Sequence, residues 1–177
     1  MNIILNKNYK RNIVENLYQN AFPETERKPF EMILELEKQG KSDVFSIDNE
    51  NNQFLGLAIT LYDDNVIILD YFAINPEYRG KGIGGKAIDI LKNKFKDKKF
   101  LLEIETTDII SADIQNRIRR KNFYLRHGLK AMPYKVNLLG EIMEIMTFNC
   151  EVTFEEYHSV FENSLPQNIC EKITEIY

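Results

Sequence analysis

The 177-residue chain has little of what several function classes need. It has two cysteines, Cys150 and Cys170, and two histidines, His127 and His158, the histidines far apart in sequence. No metal or redox spacing arises from them, so no metal site is expected and the thiols read as reduced. There is no excess of positive charge: the formal net charge is −4. A phosphate-backbone binder needs a basic surface, so nucleic acid is an unexpected partner. No apolar run approaches the ~18 residues of a membrane span, and the apolar start Ile3-Ile4-Leu5 is too short for a signal peptide. These absences point to a cytoplasmic protein with no membrane partner.

Glycine is also scarce, but it is not scattered. Four of the eight glycines lie at Gly80, Gly82, Gly84 and Gly85. They follow a strand-like apolar run, Val66–Ile74, and precede a helix-like one, with Ile83, Ala87 and Leu91 on one face and Ile88 and Phe95 extending it. Glycine lets backbone N–H groups come close to a ligand and turn toward it. A helix beginning there adds about half a positive charge. Loop and helix entry together suit an anion, most naturally phosphate. Arg79, Lys81 and Lys86 bring cations to the same stretch.

The rest of the chain frames that loop. A short strand is expected at Ile3–Leu5. Ile13, Leu17 and Ala21 follow at helical spacing, and Phe22-Pro23 ends the helix. A second helix is expected from Pro29 to a stop at Gly40. Strands are expected at Val44–Ile47, Phe54–Tyr62 and Val66–Ile74, with turns at Asn49–Asn52 and Asp63–Asn65 making an antiparallel meander. After the glycine loop, Phe100–Glu105 reads as a strand parallel to the one before the loop, by a right-handed crossover. Arg117–Leu125 reads as a helix, with Gly128 as its cap. Val136–Leu139 and Glu141–Phe148 read as a hairpin about Gly140. Thr153 and Glu156 have capping-box spacing, and a last short helix follows Pro166. The expected fold is a mixed α/β (α+β) one. Its sheet is mostly antiparallel with one parallel βαβ crossover and flanking helices. Residues 1–177 are expected to form a single domain, with a core of about 3–149 and a C-terminal helical extension at 150–177. That extension is expected to dock on its own domain or on a second copy, as a homodimer.

Two phosphate-binding readings compete. Gly80-Lys81-Gly82-Ile83-Gly84-Gly85 satisfies G-x-G-x-x-G, and Glu103 or Glu105 follows about twenty residues on, as a dinucleotide fold requires. Against it, Asn75–Arg79 separates strand from glycines, an antiparallel meander precedes the unit, and little chain remains to finish a doubly wound sheet. The second reading starts from the segment Asn75-Pro76-Glu77-Tyr78-Arg79-Gly80-Lys81-Gly82-Ile83-Gly84. It resembles the pyrophosphate loop of the GNAT superfamily of N-acetyltransferases, Arg/Gln-x-x-Gly-x-Gly/Ala, with Arg79, Gly82 and Gly84 at the matching positions. The likeness continues at Phe123-Tyr124-Leu125-Arg126-His127-Gly128-Leu129, similar to that family's Phe-Tyr-x-x-x-Gly segment, and the order of elements matches from Ile3 to Phe148.

The resemblance implies acetyl-coenzyme A as co-substrate, an amine on a small molecule or peptide as acceptor, and direct attack on the thioester in a ternary complex. Backbone N–H groups from Gly80 to Gly85 would hold the pyrophosphate, with Arg79, Lys81 or Lys86 beside it. The main chain at Phe72, Ala73 and Ile74 would take the pantetheine arm and face the thioester oxygen. Tyr124 would protonate the leaving thiolate. The family's cofactor-binding asparagine falls one residue from Asn116, where Arg117 stands. A base is sought in Glu103 and Glu105, which share one strand face, either above a wet cleft or exposed; Glu105 is the nearer to the strand end, and Asp70 is a weaker candidate. The acceptor would lie under the first two helices, where Phe22, Glu24, Glu26 and Phe30 stand. The alternatives are a protein that binds acetyl-CoA as a signal without transferring it, or a dinucleotide oxidoreductase.

Overall fold

The structure is a computed structural model that describes residues 2–176. Met1 and Tyr177, the ends of the expected domain, lie outside them. The described chain divides into two compact units, one running to Leu61 and including Leu69–Lys94, the other comprising Tyr62–Ile68 and the residues from Phe95 onward.

The first unit holds β1 (Ile3–Asn6), α1 (Arg11–Ala21), α2 (Phe30–Lys38), β2 (Ser42–Asn49), most of β3 (Phe54–Tyr62), the end of β4 (Val66–Ile74) and α3 (Ile83–Lys94). α1 forms because Val14, Leu17 and Tyr18 make one buried stripe. It stops at Phe22, whose N–H still reaches the Tyr18 carbonyl at 3.3 Å, because Pro23 has no N–H to continue. Pro29 stands just before α2, and Gly40 at φ +71 turns the chain so that the Lys41 N–H reaches back to the Leu36 carbonyl at 2.9 Å. Successive β4 residues face opposite ways. Tyr71 and Ala73 pack with Val14, Leu17, Tyr18, Phe30 and Ile33, while Phe72 and Ile74 pack with Ile83 and Ala87 of α3.

β2 is longer than the expected Val44–Ile47. Its polar ends, Ser42, Asp43, Asp48 and Asn49, are buried rather than turning out to solvent. They remain in the strand because β1 and β3 both pair with it, antiparallel. Asp48 accepts hydrogen bonds from Ser46 Oγ at 2.8 Å and Asn6 Nδ2 at 3.1 Å, which satisfies a carboxylate that would be costly if unpaired.

The second unit holds β5 (Lys99–Glu105), α4 (Ile114–Arg126), β6 (Lys130–Leu138), β7 (Glu141–Phe148), α5 (Phe154–Glu162), α6 (Gln167–Cys170) and β8 (Ile173–Ile176). β7 pairs with β5 and β6, and β6 with β8, all antiparallel. β6 begins six residues before the expected Val136 because Pro133 sits at a register shift between Ala131 and Lys135, where its missing N–H does no harm. Leu139, expected in a strand, lies instead in the turn: Leu139 and Gly140 have φ of 55° and 107°, a mirror-image hairpin turn. The capping box at α5 is present, Thr153 and Glu156 each bonding the other's backbone N–H. The extension is not wholly helical, since it ends in β8, paired to its own β6.

The strand order is β1-β2-β3-β4-β5-β7-β6-β8, a mostly antiparallel sheet with one parallel pair, β4–β5, and flanking helices. The expected fold class is the observed one. Among the described residues, no helix is long and apolar enough to cross a membrane, and no group of three or more His, Cys, Asp or Glu could hold a metal ion.

Candidate functional site

The glycine segment leaves β4 through a short turn, Pro76–Tyr78, which the Asn75 side chain caps by accepting the Glu77 N–H at 3.3 Å. Arg79, Gly80, Lys81 and Gly82 are exposed. Gly80 and Gly82 both have φ +75, and space is open where a Cβ would stand on either. A side chain there is therefore opposed by backbone strain rather than by crowding. Ile83, Gly84 and Gly85 form the first turn of α3, whose N–H groups have no partner within the helix. The next, Lys86 N–H, closes onto the Gly82 carbonyl at 3.3 Å. Alternating left-handed glycines followed by a free helix start fit a diphosphate. Two cations have tasks within the loop: Arg79 Nε donates to the Ile74 carbonyl at 2.9 Å, and Lys81 Nζ to the Glu77 carbonyl at 3.0 Å. Lys86 is exposed on the first turn.

Gly56 is a residue the sequence reading missed. A Cβ at Gly56 would run into the Ala73 carbonyl, so β3 approaches the end of β4 closely there. The Asn75 N–H is held by the Leu55 carbonyl at 2.8 Å. A glycine inside an otherwise apolar strand is the signal that could have found it.

In the same unit, the connection between α1 and α2 is fastened to β4. Phe22 meets Tyr71 edge-on at 5.0 Å, and Tyr18 lies 4.8 Å from Tyr71 and 5.4 Å from Phe30. Tyr71 Oη accepts the Lys28 N–H at 3.0 Å and donates to the Glu26 carbonyl at 2.9 Å. Tyr18 Oη donates to the Lys28 carbonyl at 2.9 Å, and burial pushes this phenol well above its ordinary range. Lys28 Nζ reaches both oxygens of Asp70, at 2.9 and 2.8 Å. Asp70 thus has a cation of its own. Phe22 is half-buried and Phe30 buried, whereas Glu24 and Glu26 are exposed.

The second unit carries the remaining candidates. Tyr124 on α4 is buried, at 8% exposure. Burial pushes its phenol up to about 12; the Arg120 charge opposes that rise and Glu105 adds to it. Arg120, one helical turn before Tyr124, forms an ion pair with Glu105. Glu103 accepts a 2.5 Å hydrogen bond from the Oη of Tyr157 on α5. The two strand carboxylates are therefore neither bare in a cleft nor simply solvated; each meets a side chain from a helix. Asn116 is exposed in the first turn of α4, while Arg117 Nε turns back to Asp113 at 3.0 Å. Glu144, on β7, accepts from the Thr107 N–H at 3.0 Å and pairs with Lys121 at 2.5 Å. Burial alone would raise Glu144, but Lys121 and the Thr107 N–H together hold it below the usual carboxylate range. This network fastens the segment after β5 to the sheet.

Residues 11–128 match the acetyltransferase (GNAT) family. A Bacillus subtilis (strain 168) protein, YjbC, which carries an acetyltransferase name, is 36% identical over 90 residues, or 51% of this chain and 43% of its own. The aligned stretch thus spans under half the length of that relative. Among solved structures, a GNAT-family protein of Bacteroides thetaiotaomicron superposes with a TM-score of 0.72 at 20% identity, over 92% of this chain and 95% of its own. A GNAT-family acetyltransferase of Elizabethkingia anophelis, with acetyl-CoA bound, superposes with a TM-score of 0.54 at 15% identity, over 84% and 97%. The structural likenesses speak to the fold; the family match covers well over half of the sequence. The chain belongs to the GNAT family of acetyltransferases.

Proposed function

We propose that the protein moves an acetyl group from acetyl-CoA to a primary amine by direct attack in a ternary complex. The observation that carries this reading is the exposed loop in which Gly80 and Gly82 both adopt φ +75 and lead into α3. The family match and the acetyl-CoA of the Elizabethkingia structure support the same donor. Main-chain N–H groups from Gly80 to Gly85 hold the diphosphate, and Arg79, Lys81 and Lys86 lower its charge. The main chain of Phe72, Ala73 and Ile74 takes the pantetheine arm, and one N–H there polarises the thioester carbonyl, a contact worth about 3 kcal/mol of barrier. Acetyl-CoA supplies the activated carbonyl and a good leaving group.

Tyr124 gives its proton to the departing thiolate. A phenol pushed up to about 12 still carries that proton at neutral pH. Glu105 accepts the ammonium proton through the oxygen that Arg120 does not hold, with Glu103 beside it on the strand. Asn116 is the contact on α4 for the cofactor arm. Phe22, Glu26 and Phe30 line the acceptor slot, where exposed carboxylates attract a cationic amine.

The test combines two measurements on the whole chain. Free thiol is followed while acetyl-CoA is mixed with a panel of primary amines, and thermal shifts are recorded with coenzyme A and with NAD(P). Amine-dependent thiol release with stabilisation by coenzyme A alone is the expected result. Stabilisation by coenzyme A with no release for any amine would favour a sensor. Stabilisation by NAD(P) but not coenzyme A would return the loop to the dinucleotide reading.

A further inference from the structure

Lys28 is a cation seated in a slot that suits an ammonium group. Asp70 grips its Nζ with both oxygens, at 2.9 and 2.8 Å, and the Tyr71 ring lies beneath it, 5.2 Å to the centroid. The two side chains are only 18% and 7% exposed. The lysine's own backbone is fixed as well, its N–H on Tyr71 Oη and its carbonyl on Tyr18 Oη. Most surface lysines are not held in this way: a flexible ammonium normally stays in water. Position along β4 gives the slot its meaning. Asp70 and Phe72 alternate onto one face and stand roughly 7 Å apart along the strand. Phe72–Ile74 is the main chain assigned above to the thioester arm. With the thioester seated on that main chain as proposed, an ammonium on Asp70 stands two strand residues from its carbonyl, and all of these residues belong to the first unit.

We propose that Lys28 is itself an acetyl acceptor, modified in cis by the chain that carries it. The inference rests on the acetyl-transfer reading. Asp70 takes one proton from the ammonium, and the freed lone pair attacks the thioester carbonyl. The N–C amide bond forms as the C–S bond breaks. The second nitrogen proton goes to the departing thiolate, and Asp70 later returns its proton to solvent. The product, acetylated Lys28, is neutral and no longer pairs with Asp70. A buried carboxylate stripped of its cation is costly, so the modified chain loses the ion pair that ties the α1–α2 connection to β4.

The experiment is peptide mapping by mass spectrometry of the purified chain incubated with acetyl-CoA and no other amine. Lys38, whose side chain is 75% exposed, serves as internal reference. Direct chemical acetylation favours the exposed amine, and transfer at the slot favours the held one. Expected are Lys28 labelling roughly tenfold faster than at Lys38, a first-order rate independent of protein concentration, and suppression of Lys28 labelling alone by excess coenzyme A. Labelling of Lys28 no faster than of Lys38, or a rate that climbs with protein concentration, overturns the proposal. Adding an external primary amine to the same sample and following thiol release keeps the two readings apart. Release with Lys28 unmodified overturns only this inference; no release, no modification and no stabilisation by coenzyme A overturn the acetyl-transfer reading beneath it.

Discussion

The two units handle charge by different means. The first meets its proposed ligand with backbone: the amides of Gly80–Gly85 need no particular side chain, only a φ that glycine tolerates. The second offers side chains: Glu103 and Glu105, each held by a side chain brought from elsewhere in the sequence, and Tyr124, set by burial. A backbone site fails when a conformation is forbidden, a side-chain site when a functional group is removed. The same contrast separates the two carboxylate–cation pairs. Asp70–Lys28 is mostly buried at 7% and 18% exposure, whereas Glu105–Arg120 is more open at 17% and 45%. Burial, not the mere presence of a pair, decides what each contributes.

Substitutions can sharpen or break that contrast. The largest effect is expected from Tyr124→Phe, which deletes one oxygen and keeps the ring: thiol release should slow by about 10²–10⁴-fold with coenzyme A affinity unchanged. Equal losses in rate and affinity would make Tyr124 a packing residue instead. Next is Asp70→Asn, which leaves the buried Lys28 ammonium without its counter-charge; unfolding by urea should show a loss of about 3 kcal/mol. Gly82→Val tests the backbone site. A branched side chain at φ +75 costs about 1–2 kcal/mol, so coenzyme A should bind roughly tenfold more weakly by calorimetry. Unchanged affinity would remove the loop from the site. Glu105→Gln should alter stability by no more than about 1 kcal/mol, because its partner is nearly half exposed.

The smallest signal is a titration. The Tyr124 phenol is raised in the folded chain to about 12, against an ordinary value of 10.0. A raised folded value means that the unfolded chain ionises first. The stability contributed is complete below about pH 10 and disappears as pH climbs through about 12. Since Tyr124 is one of nine tyrosines, its phenolate absorbance must be taken as the difference between the natural chain and Tyr124→Phe. A difference band appearing near pH 10 would show that the ring is wetter than the structure has it.

Much of the framework could be read from local pattern. β3 and β4 fall where apolar runs end at Asn and Asp turns, Phe54–Tyr62 and Val66–Ile74, because the chemistry that starts and stops those strands is carried within them. The glycine loop was legible for the same reason. Legibility failed where a partner lies far along the chain. Tyr157 stands 54 positions from Glu103, and Lys28 stands 42 from Asp70, so no window of sequence joins them. The early start of β6 was hidden by Pro133, which argues against a strand unless a bulge takes it up. β8 has four residues, too few to register a period before the β6 edge pairs with it.

That last pairing has a practical consequence. β8 is the outermost strand beyond β6, in register from Lys135 against Ile176 to Leu138 against Ile173. Without it, the rim of the sheet would be β6, with the hydrogen-bonding groups of Lys135–Leu138 that now face β8 left bare. Such a rim invites a stranger's strand. A shortened version lacking Ile173–Ile176 should therefore clump on storage even where its remaining parts stay intact, and this strand serves as a guard rail against self-association.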